Sequence, residues 1–159
     1  PQRRRTTMAD LWADVCNDNS PTNWCILEVE GEEVSGVSSG SGLSALIEAL
    51  DETKCQWAGF MAYGIDDVSS KRPKSIQINW VGPRVSPMKR MGALSGKAAA
   101  SQLLQGMALT LDCNDKADLT MEDLARQLLA CGGAHKPTYY DFGNEETITL
   151  EAIGYSVGN

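Results

Sequence analysis

Ser70-Lys71-Arg72-Pro73-Lys74-Ser75-Ile76-Gln77-Ile78-Asn79-Trp80-Val81-Gly82 is the stretch from which the fold can be read. From Ser75 to Val81 it alternates, with Ile76, Ile78 and Trp80 on one side and Ser75, Gln77 and Asn79 on the other. A period of two carried by β-branched and aromatic residues predicts a strand resting on a core. Three cations in four positions precede it, broken by Pro73, which has no N–H for a ladder and fits a loop or a strand start. The expectation is a buried strand fed by a basic loop, with those charges held at a fixed place on the surface.

On its N-terminal side, residues 55–64 are nearly continuous in apolar residues, as in a strand buried on both faces. The polar segment 64–70 then predicts an antiparallel hairpin whose loop carries acids first and bases second. Before that, Met8, Leu11, Trp12 and Val15 are spaced for a short helix. Residues 23–30 read as a strand with Cys25, Leu27 and Val29 toward the core, and Gly31-Glu32-Glu33 turns it into a short second strand around Val34. The run from Gly36 to Gly42 reads as a flexible connection; no Lys-Ser/Thr follows it, so it is not a phosphate-cradling loop. Leu43, Leu46, Ile47 and Leu50 form a helical stripe whose plain meaning is core packing.

Beyond Gly82, Ser86 as N-cap and Pro87 at the first helical position open a helix that Gly92 and then Ser95-Gly96 interrupt. Lys97 to Gln105 resumes it, Gly106 ends it, and Met107 to Leu111 alternates as a further strand. Thr120-Met121-Glu122-Asp123 resembles a capping arrangement. It opens a helix with Met121, Leu124, Ala125 and Leu128 on one face, closed by Gly132-Gly133. In the tail, Thr147 to Ile153 alternates, which leaves an added edge strand or a partly disordered segment as alternatives. The order α β β α β β α β α plus a tail makes one mixed sheet covered by helices on both faces the economical packing, an α/β protein.

The 159 residues fit one domain, and 42% hydrophobic with 22% charged residues is the composition of a soluble globular protein. No apolar run approaches the roughly 18 residues of a membrane helix. Residues 1–7, basic and followed at once by acids, read as a disordered or non-native lead-in rather than a signal peptide. Five cysteines with no CxxC pair point to reduced, mostly buried thiols and a cytoplasmic setting. The net charge of −7 argues against a nucleic-acid partner. Its distribution says more. Between Ser69 and Leu111 there is no Asp or Glu, while Lys71, Arg72, Lys74, Arg84, Lys89, Arg90 and Lys97 all lie there. That segment carries +7 against −14 for the remainder, which favours a surface for an acidic partner over a merely solvated face.

On the residues Ser70-Lys71-Arg72-Pro73-Lys74, the strand end Ile78-Asn79-Trp80-Val81-Gly82, then Val85-Ser86 and the late Gly132-Gly133, the chain resembles an actin-depolymerising-factor homology (ADF-H) domain. Within that superfamily it is most similar to the coactosins. The resemblance covers residues 8–134 as a single ADF-H domain, with 135–159 left as a C-terminal tail. It implies a central mixed sheet of five to six strands sandwiched between helices, no enzyme activity, and binding to the sides of actin filaments (F-actin) in a cytoskeleton-associated setting. It also implies that Lys74 is central to filament contact, that Lys71 and Arg72 assist, and that Lys89 and Arg90 match a basic helix cofilins turn toward the actin monomer. The glycines that interrupt that helix here make severing and monomer sequestration unexpected. Leu129-Ala130 stands where coactosins usually carry a lysine pair, so partners needing that pair are not expected.

Two other classes compete with a filament-binding module. His135 is the only histidine and Cys131 lies four residues before it. Cysteine–histidine catalysis also needs a third group to orient the base, and a metal site needs three or four ligands. No catalytic residue, metal or cofactor is therefore expected. The basic patch could instead meet anionic phospholipids, although no amphipathic membrane helix is visible. A cofilin-like depolymerising or monomer-binding protein is the remaining alternative. A monomer is expected.

Overall fold

The computed structural model describes residues 8–30, 33–66, 70–131 and 136–155. In chain order the elements are α1 (Met8–Val15), β1 (Trp24–Glu30), β2 (Glu33–Gly40), α2 (Leu43–Ala49), β3 (Cys55–Ile65) and β4 (Lys71–Val81). There follow α3 (Pro87–Met91), α4 (Ala93–Leu103), β5 (Leu109–Cys113), α5 (Met121–Cys131), β6 (Tyr139–Asp141) and β7 (Thr147–Thr149), with 3₁₀ turns at Lys116–Asp118 and Glu151–Ile153. The lead-in 1–7, the hairpin tip Asp67–Ser69 and the Gly132-Gly133 stop lie outside the described residues.

The main sheet runs β2-β1-β3-β4-β5 and is mixed: β1–β2, β1–β3 and β3–β4 are antiparallel, and β5 is parallel to β4. Helices cover both faces. Alternate residues of the central strands serve two cores, which is why β1, β3 and β4 are buried on both sides. Ile26, Ala58, Phe60, Ile76, Ile78 and Trp80 pack with Leu43 and Leu46 of α2 and Leu124 and Leu128 of α5. Cys25, Leu27, Trp57 and Met61 pack with Val15 of α1 and Ala100 of α4. Thr120 caps α5 through Asp123 N–H to Thr120 Oγ1 at 3.1 Å.

Four expectations are corrected. Lys71 to Lys74 are not in a loop: β4 begins at Lys71 and pairs with β3 through Pro73. The strand tolerates Pro73 because β5 pairs only with Ile76 to Trp80, which leaves the outer edge of residues 71–74 open among the described residues. The Gly-Ser run is largely strand β2, held by its ladder to β1 and bulged where Ile26 pairs with Ser38 and Leu27 with Gly36. Gly96 does not interrupt α4. It is buried, and a Cβ there would run into the Trp57 ring, so the glycine permits close helix–sheet approach. The fifth strand begins at Leu109 rather than Met107.

The tail folds into the body. β6 pairs with Tyr63 to Ile65 on the same side of β3 that β1 uses further down, and β7 pairs with β6. Tyr140, Phe142, Ile148, Leu150 and Ile153 are buried in the α2/α5 core. Asn23 stitches the parts together. Its side-chain amide donates to Phe142 O at 2.8 Å and Met61 O at 3.2 Å, while Oδ1 accepts from Gly42 N–H at 2.8 Å. Glu146 accepts from Ser44 N–H and Oγ at the first turn of α2.

Trp80, 1% exposed, ends the apolar row of β4 and donates its indole N–H to Asp51 O at 2.7 Å. Trp80→Ala is expected to cost on the order of 3–5 kcal/mol, read as a lowered urea midpoint. Gly96→Ala should cost about 1–3 kcal/mol in the same measurement, because the Trp57 ring must shift to admit a methyl group.

Candidate functional site

β4 presents cations in two ways. Residues of even number share the face of Ile76 and Ile78, so Arg72 and Lys74 extend that row beyond the core, and Lys71 falls on the opposite face. Arg72 is exposed and Lys74 half-buried at its base. Lys71 is engaged within the protein, with its ammonium 3.9 Å from the centroid of the Tyr63 ring. Tyr63 in turn donates its hydroxyl to Asp18 at 3.3 Å.

Lys89 and Arg90 lie on α3, past the other end of β4. Ser86 caps this single turn by accepting from Lys89 N–H at 3.4 Å, and Gly92 serves both as its C-cap and as the N-cap of α4. Both cations are exposed; Arg90 reaches Pro83 O at 3.4 Å. Beside them stand Met88 and Met91, each 84% exposed, and Leu94, 78% exposed. Apolar side chains so bare, framed by cations, mark a surface built for contact.

The five basic residues singled out in the sequence therefore form two groups rather than one. Seven residue steps of strand lead from Lys74 to Val81, roughly 23 Å at about 3.3 Å per residue, so the groups lie toward opposite ends of β4. What joins them is their availability. Lys54, Arg84, Lys97 and Arg126 are each ion-paired, to Glu28, Glu52, Asp112 and Asp123. Lys71 and Lys136 lie over the rings of Tyr63 and Tyr155. Arg72, Lys74, Lys89 and Arg90 form no ion pair among the described residues. The apolar group at the α3–α4 junction was missed from sequence. Its signal was present, since Met88, Met91 and Leu94 recur every three residues along a segment with little else to bury.

Four of the five cysteines carry raised thiols rather than activated ones. All five are free; burial pushes the Cys25 thiol up to about 12 and raises those of Cys16, Cys55 and Cys113. Cys131 is exposed at the end of α5, and His135 lies outside the described residues. No group of three or more metal-ligating side chains occurs among the described residues, and no described helix is long and apolar enough to cross a membrane.

A family model described as cofilin/tropomyosin-type actin-binding protein matches residues 6–129. Coactosin of Dictyostelium discoideum is 26% identical over 132 residues, covering 81% of this chain and 90% of that protein. The crystal structures of human coactosin-like protein include a chain that superposes with a TM-score of 0.70 at 20% identity, covering 79% of this chain and 95% of that one. A solution structure of mouse coactosin, titled an actin filament binding protein, gives a TM-score of 0.62 at 22% identity over 77% of this chain and 86% of that one. These structures share the mixed sheet between helical layers.

Burial, with Asp18 adding to it, raises the Tyr63 phenol to about 12, and burial likewise raises Tyr140 to about 12. The unfolded chain releases these protons near pH 10, before the folded protein does, so their contribution is whole below about pH 10 and is lost as pH rises toward 12. Melting temperatures across that window should fall, and Tyr63→Phe should make the decline shallower.

Proposed function

The chain belongs to the cofilin/tropomyosin-type actin-binding family, and we propose that it binds the sides of actin filaments through two separated cationic patches, without severing filaments or sequestering monomers. The observation that carries this reading is that Arg72 and Lys74 at one end of β4, and Lys89 and Arg90 past the other, are the cations of the acid-free segment with neither an ion pair nor a ring contact among the described residues. Cations held by a strand and a capped helical turn, facing an acidic filament, gain attraction and association rate at little ordering cost. The likeness to coactosins, one of them titled an actin filament binding protein, supports the filament as the form bound. The reading places the protein in the cytoplasm, with the cytoskeleton, and gives it no catalytic step.

Gly92 supports the absence of severing, because it divides α3 from α4 where one continuous helix would otherwise run. One observation favours a second reading. Met88 and Met91 of α3 and Leu94 at the start of α4 form an apolar surface beside Lys89 and Arg90, and α4 continues through Gly96, so a cofilin-like contact with the actin monomer has a surface to use. Co-sedimentation with filaments, run beside a pyrene depolymerisation assay, separates the two. Decoration with a little-changed depolymerisation rate is expected, and rapid filament loss at substoichiometric protein would establish the second reading instead.

Within the first patch, Lys74 should matter most and Lys71 least, since the Lys71 ammonium already rests on Tyr63. Lys74→Ala is expected to weaken filament binding about tenfold, ~1.4 kcal/mol, and Lys74→Glu to abolish pelleting. Thermal stability should stay within about 0.5 kcal/mol of wild type, as for most surface substitutions. Lys71→Ala should change binding little, and added salt should weaken wild type in the same direction as Lys74→Ala. If Lys74→Ala pellets like wild type while Lys89→Ala does not, the working surface is α3 alone.

A further inference from the structure

The helix α4 is held to the sheet in an unusual way. Of its eleven residues only Gly96 and Ala100 are fully buried, neither of which brings a large apolar side chain. Beneath it the sheet offers Gln77 and Asn79, 2% and 5% exposed, at mid-strand positions where apolar residues are the norm. Buried amides there are tolerable only if they are bonded, and they are. Gln77 Nε2 donates to Ser101 Oγ on α4 at 3.0 Å and to Asn79 Oδ1 at 2.8 Å. Asn79 Nδ2 donates to Asp112 Oδ1 at 2.9 Å across the β4–β5 ladder, where the two residues are register partners. Lys97 Nζ donates to the same carboxylate oxygen at 3.3 Å and so returns the chain to α4.

We propose that this loop of hydrogen bonds, Ser101–Gln77–Asn79–Asp112–Lys97, pins α4 in register on the sheet, and that Asp112 is a positioning residue for the α3 contact surface. Asp112 touches no partner itself. It acts through Lys97, which lies on α4 five residues past Gly92, the cap that α3 and α4 share. The first turns of α4 have room to shift. Two open grooves, of about 380 and 520 Å³, flank them, and both are walled by Trp57 and Ala93. Apolar packing holds α4 where Gly96 meets Trp57 and where Leu104 is buried at its C-cap, and brings little to its first turn. A directional chain anchored at both Ser101 and Lys97 adds the register that the small side chains between do not. The chain also holds the Asp112 carboxyl below the usual carboxylate range, chiefly through the Asn79 amide and then through Lys97.

The assignment of a filament to α3 rests on the reading of the preceding section; the pin does not. Two variants of the full chain decide it, Asp112→Asn and Asp112→Ala. They change the charge equally, so any general electrostatic effect on an acidic partner is common to both. Only Asn keeps an oxygen that can accept from Asn79 and Lys97. Amide hydrogen exchange, which needs no partner, is expected to be about tenfold faster in residues 87–103 of the Ala variant than of the Asn variant, with β3 and β4 alike in both. Filament pelleting is expected to be about threefold weaker for Ala than for Asn. Equal exchange in the two variants would overturn the pin. Faster exchange with equal pelleting would overturn the positioning role. Wild type that fails to pellet would overturn the filament reading, while the exchange comparison would still judge the pin.

Discussion

Eleven successive residue pairs between β3 and β4, from Cys55–Val81 to Ile65–Lys71, run without a bulge. The rest of the molecule is arranged along this ladder. β1 and the tail hairpin take the free side of β3 in turn, at Trp57 to Phe60 and at Tyr63 to Ile65. β5 takes only the C-terminal half of β4, and the strand projects before it as a charged edge. Because side chains repeat every two residues, a slip of one position would send Ile76, Ile78 and Trp80 to the other core and turn Arg72 and Lys74 together to the opposite face. The register that holds the two cores therefore also fixes the cations. Both patches hang on one rigid strand pair, one group at its start and the other on the first helical turn after its end.

That strand pair was legible because its signals are local. The alternation of Ile76, Ile78 and Trp80, the apolar run of 55–64, and the spacing of the helices all show in short windows. The departures are tertiary. Pro73 marks a strand start when only neighbours in sequence are considered, yet an edge with no outer partner accepts it. Gly96 reads as a helix breaker until Trp57 is seen beneath it, and the Gly-Ser run of β2 reads as a linker until β1 supplies its ladder. Of the tail, the alternation from Thr147 shows in a short window, whereas its fastening, by Asn23 to Phe142 O and by Glu146 to Ser44, joins positions far apart in sequence. The five basic residues proposed for the contact stand out in the charge distribution. Their division into two groups does not, since that depends on the length of β4.

An acidic protein that meets an acidic partner must keep its own carboxylates from claiming the cations meant for that partner. Here the bases nearest acids are consumed locally: Lys54 by Glu28, Arg84 by Glu52, Lys97 by Asp112. Such exposed pairs add little stability, in the range of about 0–1 kcal/mol. Their consequence lies in which charges remain. The acid-free stretch from Ser69 to Leu111 leaves Arg72, Lys74, Lys89 and Arg90 nothing nearby in sequence to pair with, and the fold brings them no described carboxylate.

The two patches differ in physical character, and that bears on how a single partner would be held. The β4 edge is cationic, and among the described residues no exposed large apolar side chain lies on β4, so its attraction acts at a distance and weakens as the Debye length shortens. The α3 surface adds Met88, Met91 and Leu94 to its charges. Burying them in a contact gains a short-range term that salt does not screen, at roughly 25 cal/mol per Å². Under the proposed function, the edge governs how often encounters are productive and α3 governs how long they last. A partner reached by the edge alone would dissociate readily. One reached by both must present surfaces at a fixed separation, which a filament of repeating subunits can do and a flexible acidic chain cannot do without losing conformational entropy.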